Sequence, residues 1–97
     1  MSIQELITEG ERILSNVKKD NLFIGIDCPQ DVLDENNYMA LIQWYENVKA
    51  TLKRENQMEM LDEVKQINYT CRTADNDINK KGVWQIICKL KTLQELQ

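Results

Sequence analysis

A chain of 97 residues with 42% apolar and 29% charged side chains supports one core and a solvated surface, which excludes a two-core protein and wholesale disorder. One proline and three glycines leave too little turn punctuation for a β-sandwich or barrel, so helices are the default. Net charge is −4 and unevenly divided: residues 1–49 carry nine acids against four bases, residues 50–97 seven against eight, and an acidic front suits a basic partner.

Residues 1–5 lack the basic start and apolar run of a secretion signal, and no stretch approaches the roughly 20 apolar residues that span a bilayer. A cytoplasmic location and no membrane partner are expected. Ser2 and Glu5 form an S-x-x-E capping box that opens a first helix. Ile3, Leu6, Gly10, Ile13 and Val17 then space alternately by three and four, with Ile7 and Leu14 alongside, giving one apolar stripe to about residue 18. Gly10 lies on that stripe at a cost of about 1 kcal/mol against alanine. Either a neighbouring backbone approaches it closely or the helix simply tolerates it.

Asp20 and Asn21 end this element. Residues 22–26, Leu-Phe-Ile-Gly-Ile, follow as a short apolar run, expected as an extended strap closing one end of the molecule rather than as a paired strand. Residues 28–31 have the form of a turn or single helical turn, with Pro29 first. A second helix is capped by Asp34 or Asn36, carries Tyr38, Leu41, Tyr45, Val48 and Leu52 on one stripe, and runs to about residue 54. Asn56 and Glu59 form an N-x-x-E box that opens a third helix through Met60, Val64, Ile67, Cys71 and Ala74. Ile78 continues its register, so this helix runs to Lys81 with Gly82 as terminator, unless Asp75, Asn76 and Asp77 break it earlier. Val83, Ile86, Ile87, Leu90 and Leu93 form the last stripe. The predicted fold is all-α: residues 1–97 as a single helical domain, an antiparallel four-helix bundle with the 22–26 strap between its first two helices.

Without histidine, the chain has no Ser-His or Cys-His nucleophile pair and no mixed zinc site. The glycines, at positions 10, 25 and 82, form no phosphate loop. Cys28, Cys71 and Cys88 are odd in number and far apart, which favours buried reduced thiols over a disulfide framework. Residues 75–79 resemble the start of a calcium loop, but Lys80 stands where that loop needs glycine and Ile86 where it needs glutamate. No enzyme activity, metal or cofactor is expected.

Surface chemistry remains. Asp27, Asp31, Asp34 and Glu35 crowd one junction, and the last three would share a face if the segment were helical. They face a basic partner, hold a hard cation, or merely favour the positive end of the second helix. Trp44 lies about 90° and Trp84 about 125° from the middle of their stripes on a wheel of 100° per residue. Each either covers a neighbouring element or stands exposed as an interface anchor, and Tyr45 and Tyr69 extend such a patch. Lys80, Lys81, Lys89 and Lys91 give the last helix a basic flank, while Lys49, Lys53 and Arg54 gather at the end of the second.

Residues 6–13, Leu-Ile-Thr-Glu-Gly-Glu-Arg-Ile, with 38–52 after them, resemble helical modules of bacterial phage-defence systems and small phage counter-defence proteins. The resemblance implies defence or counter-defence biology and assigns no residue a role. Three functions therefore stand at this point. One is a protein-interaction module, an inhibitor, immunity-type protein or adaptor, using Trp44, Tyr45, Trp84, Asp27, Asp31, Asp34 and Glu35. Another is an oligomer that binds a small nucleotide or other anion through Trp84, Lys89, Lys91 and Tyr45. The third, a nucleic-acid-binding helical domain, is disfavoured by the net charge. A homodimer or higher homo-oligomer is compatible with each.

Overall fold

The computed structural model describes residues 2–20, 30–70 and 78–96. Helix α1 spans Ile3–Ser15, α2 Glu35–Arg54, α3 Met58–Lys65 and α4 Lys80–Leu96, while two short strands, β1 (Lys18–Asp20) and β2 (Gln30–Val32), lie between α1 and α2. α1 packs on both α2 and α4, and α2 on α3. Among the described residues no helix is long and apolar enough to cross a membrane.

Local chemistry accounts for the first and second helices. Ser2 Oγ accepts from the Glu5 N–H at 3.1 Å, and Asp34 Oδ1 accepts from the Asn37 N–H at 2.8 Å, each satisfying a backbone donor that the first turn leaves open. α2 ends differently from the sequence expectation. Asn56 does not cap α3; it takes a left-handed conformation with φ 58°. Its N–H donates to the Lys53 carbonyl at 3.1 Å and that of Gln57 to the Leu52 carbonyl at 2.8 Å, the paired bonds of a Schellman ending. α3 starts at Met58 after Gln57, with no side-chain cap bond.

The third helix is also much shorter than expected. It stops at Lys65, and Thr70 pairs with Ile78 in an antiparallel bridge while the Asn79 N–H donates to the Tyr69 carbonyl at 3.0 Å. Backbone pairing has won over the helical register of Ile67 and Ile78. Lys80, Lys81 and Gly82 belong instead to the start of α4, where Asn79 Oδ1 accepts from the Gly82 N–H at 3.2 Å. Gly82 is not a terminator. It is needed because a Cβ there would lie 1.8 Å from the Asn68 carbonyl oxygen.

β1 and β2 pair antiparallel, Lys18 opposite Val32 and Asp20 opposite Gln30. The Ile78 N–H donates to the Asp31 carbonyl at 2.9 Å, so three distant parts of the chain meet in one small patch of extended backbone. Gln30 and Asp31, the described part of the turn or single helical turn expected over residues 28–31, therefore lie in a strand. The 22–26 strap, Asp27, Cys28, Pro29, Cys71 and the Asp75 to Asp77 run lie outside the described residues.

The core gathers Leu6 and Ile13 of α1, Leu41, Trp44, Val48 and Leu52 of α2, Leu61 and Val64 of α3, and Val83, Ile86, Ile87 and Leu90 of α4, with Leu33 and Ile78 from the connections. Gly10 is a point of close approach, though to a side chain rather than a backbone. A Cβ at that position would lie 2.7 Å from Trp44 Cζ2.

Candidate functional site

The two tryptophans part company. Trp44 is 1% exposed, and its indole N–H donates to the Leu6 carbonyl at 2.7 Å. It covers the neighbouring helix and is closed to any partner. Trp84 is 48% exposed on α4. Its place far from the apolar stripe puts it outside the core, the second of the two positions that the wheel leaves open.

Trp84 forms one wall of an open cleft of about 380 Å³, whose other sides come from Leu14, Asp31, Lys80 and Lys81. Each has a structural reason to be there. Leu14 is the half-buried end of the α1 stripe, Asp31 is held by the backbone pairing of β2, and Lys80 and Lys81 precede Trp84 by four and three residues on the same helix. Above the indole, Lys91 Nζ stands 5.2 Å from the ring centroid and 3.4 Å from the Glu11 carboxylate. Lys91 is thus committed on two sides, a cation resting on the electron-rich ring face and paired with an acid. Lys80 and Lys81 form no ion pair among the described residues.

Other expected site residues lie elsewhere. Tyr45 is 8% exposed, stacks on Tyr69 with ring centroids 4.0 Å apart, and carries Lys49 Nζ 4.7 Å from its own centroid. Its burial takes it out of any surface patch, a correction that follows from the 66–70 segment lying against α2. Burial, then the neighbouring Tyr45, Glu46 and Tyr38, push the Tyr69 hydroxyl up from its ordinary pKa. Lys89 is paired with Glu63 and lines a separate cleft of about 570 Å³ with Gln66, Ile67, Gln85 and Cys88. The four residues of the expected anion site therefore do not converge; only Trp84 and Lys91 adjoin.

The acidic junction is similarly divided. Asp31 sits in a strand, so it shares no helical face with Asp34 and Glu35. Asp34 is the α2 cap, held below the usual carboxylate range first by the Asn37 backbone N–H and then by the Asn37 side chain. Glu35 occupies the first turn, where an acid complements the helix dipole. Among the described residues no group of three acids or cysteines is placed to hold a metal ion. Cys88 is exposed, not buried as the thiols were expected to be.

Leu14 escapes the sequence reading as a site residue, whereas Lys80 and Lys81 appear in it only as part of the basic flank of the last helix. A signal for the lysines exists, since their offsets of four and three from Trp84 place them on its face once residue 80 is assigned to the last helix. Leu14 carries no such signal, because only packing brings α1 beside α4. Comparison with protein-family models, with curated proteins and with solved structures returns no match.

Proposed function

We propose that this chain is a non-enzymatic protein-interaction module, an inhibitor, immunity-type protein or adaptor, that engages a larger macromolecule through the face around Trp84. One observation carries the reading: a half-exposed tryptophan on a rigid helix, set in a cleft beside Leu14 while the other tryptophan is fully spent in the core. Tryptophan anchors in clefts dominate the energetics of protein interfaces. The expected setting is the cytoplasm, and the likeness to phage-defence and counter-defence modules supplies the biological context. An antiparallel bundle is the arrangement that goes with this reading. It is supported by Gln94 near the end of α4 donating to Gln4 at the start of α1, at 2.5 Å.

The test is capture of a specific partner from the native cell by the natural chain and by Trp84→Ala, with helical circular dichroism as the folding control. Loss of that partner with the spectrum intact supports the proposal. Undiminished capture removes the anchor and the proposal with it.

A second reading, binding of a small nucleotide or other anion, draws on the adjoining Trp84 and Lys91 and on a cleft volume within the range of ligand sites. Calorimetry and thermal shift against a nucleotide panel decide it; no heat and no shift reject it.

A further inference from the structure

We infer that the occupant of the Trp84 cleft is an acidic protein segment carrying one apolar or aromatic side chain, a conclusion that rests on the interaction reading above. The acidic amino half of the chain suggests a basic partner, but the cleft has the opposite polarity. Its rim carries two lysines, both exposed and both without an ion pair among the described residues. They stand in the first turn of α4, which contains no acid, so the backbone N–H groups of that turn reinforce their positive field.

The remaining charges on this face do not cancel that field. Lys91 and Glu11 neutralise one another 3.4 Å apart. Asp31 lines the same cleft and its carboxylate offsets one of the two lysines, which leaves the rim net positive. A carboxylate entering the cleft therefore meets Lys80 and Lys81 at the rim, while Trp84 and Leu14 offer an apolar surface between them and α1.

The occupant is a peptide segment rather than a flat nucleobase because Lys91 already roofs a face of the indole, and because the cleft is open to solvent rather than enclosing. In an extended segment, alternate side chains point to opposite sides, so an apolar residue directed at Trp84 leaves acids beside it free to reach the lysines. Long polyanions are disfavoured by the net charge of −4, which repels phosphate beyond this small patch.

The probes are short synthetic peptides with one leucine or phenylalanine flanked by aspartates and glutamates, matched by versions flanked by serine and glutamine or by lysine and arginine. ATP serves as the small-anion competitor. Calorimetry gives affinity, and iodide quenching follows Trp84, since Trp44 is buried.

The acidic peptide is expected to bind at least about tenfold more tightly than the neutral one, to weaken with salt, and to protect Trp84 from iodide. Lys80→Glu with Lys81→Glu should cost at least about tenfold in that affinity. The same double variant should melt no lower than the natural chain, because acids are favourable at the start of a helix. Failure of the acidic peptide to bind, equal binding of the neutral or basic peptides, binding unaffected by the charge reversal, or ATP binding in place of the peptide each overturns the inference.

Capture of the natural partner separates the two levels. Loss with Trp84→Ala but not with the charge reversal leaves the interaction reading standing and removes the acidic segment. Independence from Trp84 removes both.

Discussion

Gly10→Ala tests the packing that fixes α1 against the rest of the molecule. In an unconstrained helix this change stabilises by about 1 kcal/mol. Here the added Cβ would fall 2.7 Å from Trp44 Cζ2 and 3.0 Å from Ile87 Cδ1 and Cγ1. The indole is a rigid plate and has little room to retreat. It is held along the same edge, two bonds from Cζ2, by the 2.7 Å bond from its N–H to the Leu6 carbonyl, and lengthening that bond leaves a buried donor unsatisfied at a cost of about 1–3 kcal/mol. Overpacking of this kind costs about 1–3 kcal/mol on its own. Set against the propensity gain, the net effect is a loss of about 1–2 kcal/mol, or about 5–15 °C in melting temperature for a domain of this size. Thermal and urea melts followed by circular dichroism at the helical minimum provide the measurement. A variant that melts higher than the natural chain would show that the contact between α1 and the indole is loose, and the account of Gly10 would fail.

Gly82→Ala should be worse, about 3 kcal/mol or more, because the atom in the way is the backbone carbonyl of Asn68, 1.8 Å from the new Cβ; a melting curve matching the natural one would contradict the close contact between α4 and the 66–70 segment. Asn56→Ala should lose about 1 kcal/mol in urea titration, since alanine lacks asparagine's tolerance of the left-handed turn at φ 58°. The pH dependence has a definite sign. Asp34 and Glu9 both have folded pKa values held down, Asp34 by the Asn37 hydrogen bonds and Glu9 by its hydrogen bond from Arg12, so the stability they contribute is full above the ordinary carboxylate range and is lost as pH falls through and below about 4. Asp34→Asn keeps a capping side chain without the titration, and its stability should fall less steeply over that acid range; an unchanged slope would dismiss Asp34 as a contributor.

What the sequence made legible follows the reach of each interaction. Ser2 and Asp34 cap α1 and α2 and single apolar stripes bury them, so both starts and the end of α2 emerge from pattern alone, whereas α1 stops at Ser15, short of the expected residue 18, because Lys18–Asp20 pairs with β2. Asn56 has two local meanings, a cap for the next helix or the left-handed end of the last one, and only the bonds to Lys53 and Leu52 decide between them. The break after α3 is invisible to periodicity because Ile67 and Ile78 keep the helical spacing. Pairing of Thr70 with Ile78 and stacking of Tyr69 on Tyr45 override it from a distance. The strands escape notice for a similar reason, since three-residue segments as polar as Lys18–Asp20 carry no alternation to detect. At the site, the angle of Trp84 from its stripe is a property of one helix and was readable. Trp44 is also off its stripe, yet the opening at Gly10 lets α1 receive it, and that depends on two helices at once.

The hydrogen bond between Ile78 and Asp31 joins residues almost half the chain apart, and the cleft is built on both sides of it. Closing so large a loop is entropically expensive and is rewarded only when the last helix docks. A nascent polypeptide still lacking its final third presents no cleft at all. Recognition at Trp84 is thereby reserved for the finished molecule, and slowed exchange of the Ile78 amide would mark the moment at which the chain becomes competent to bind.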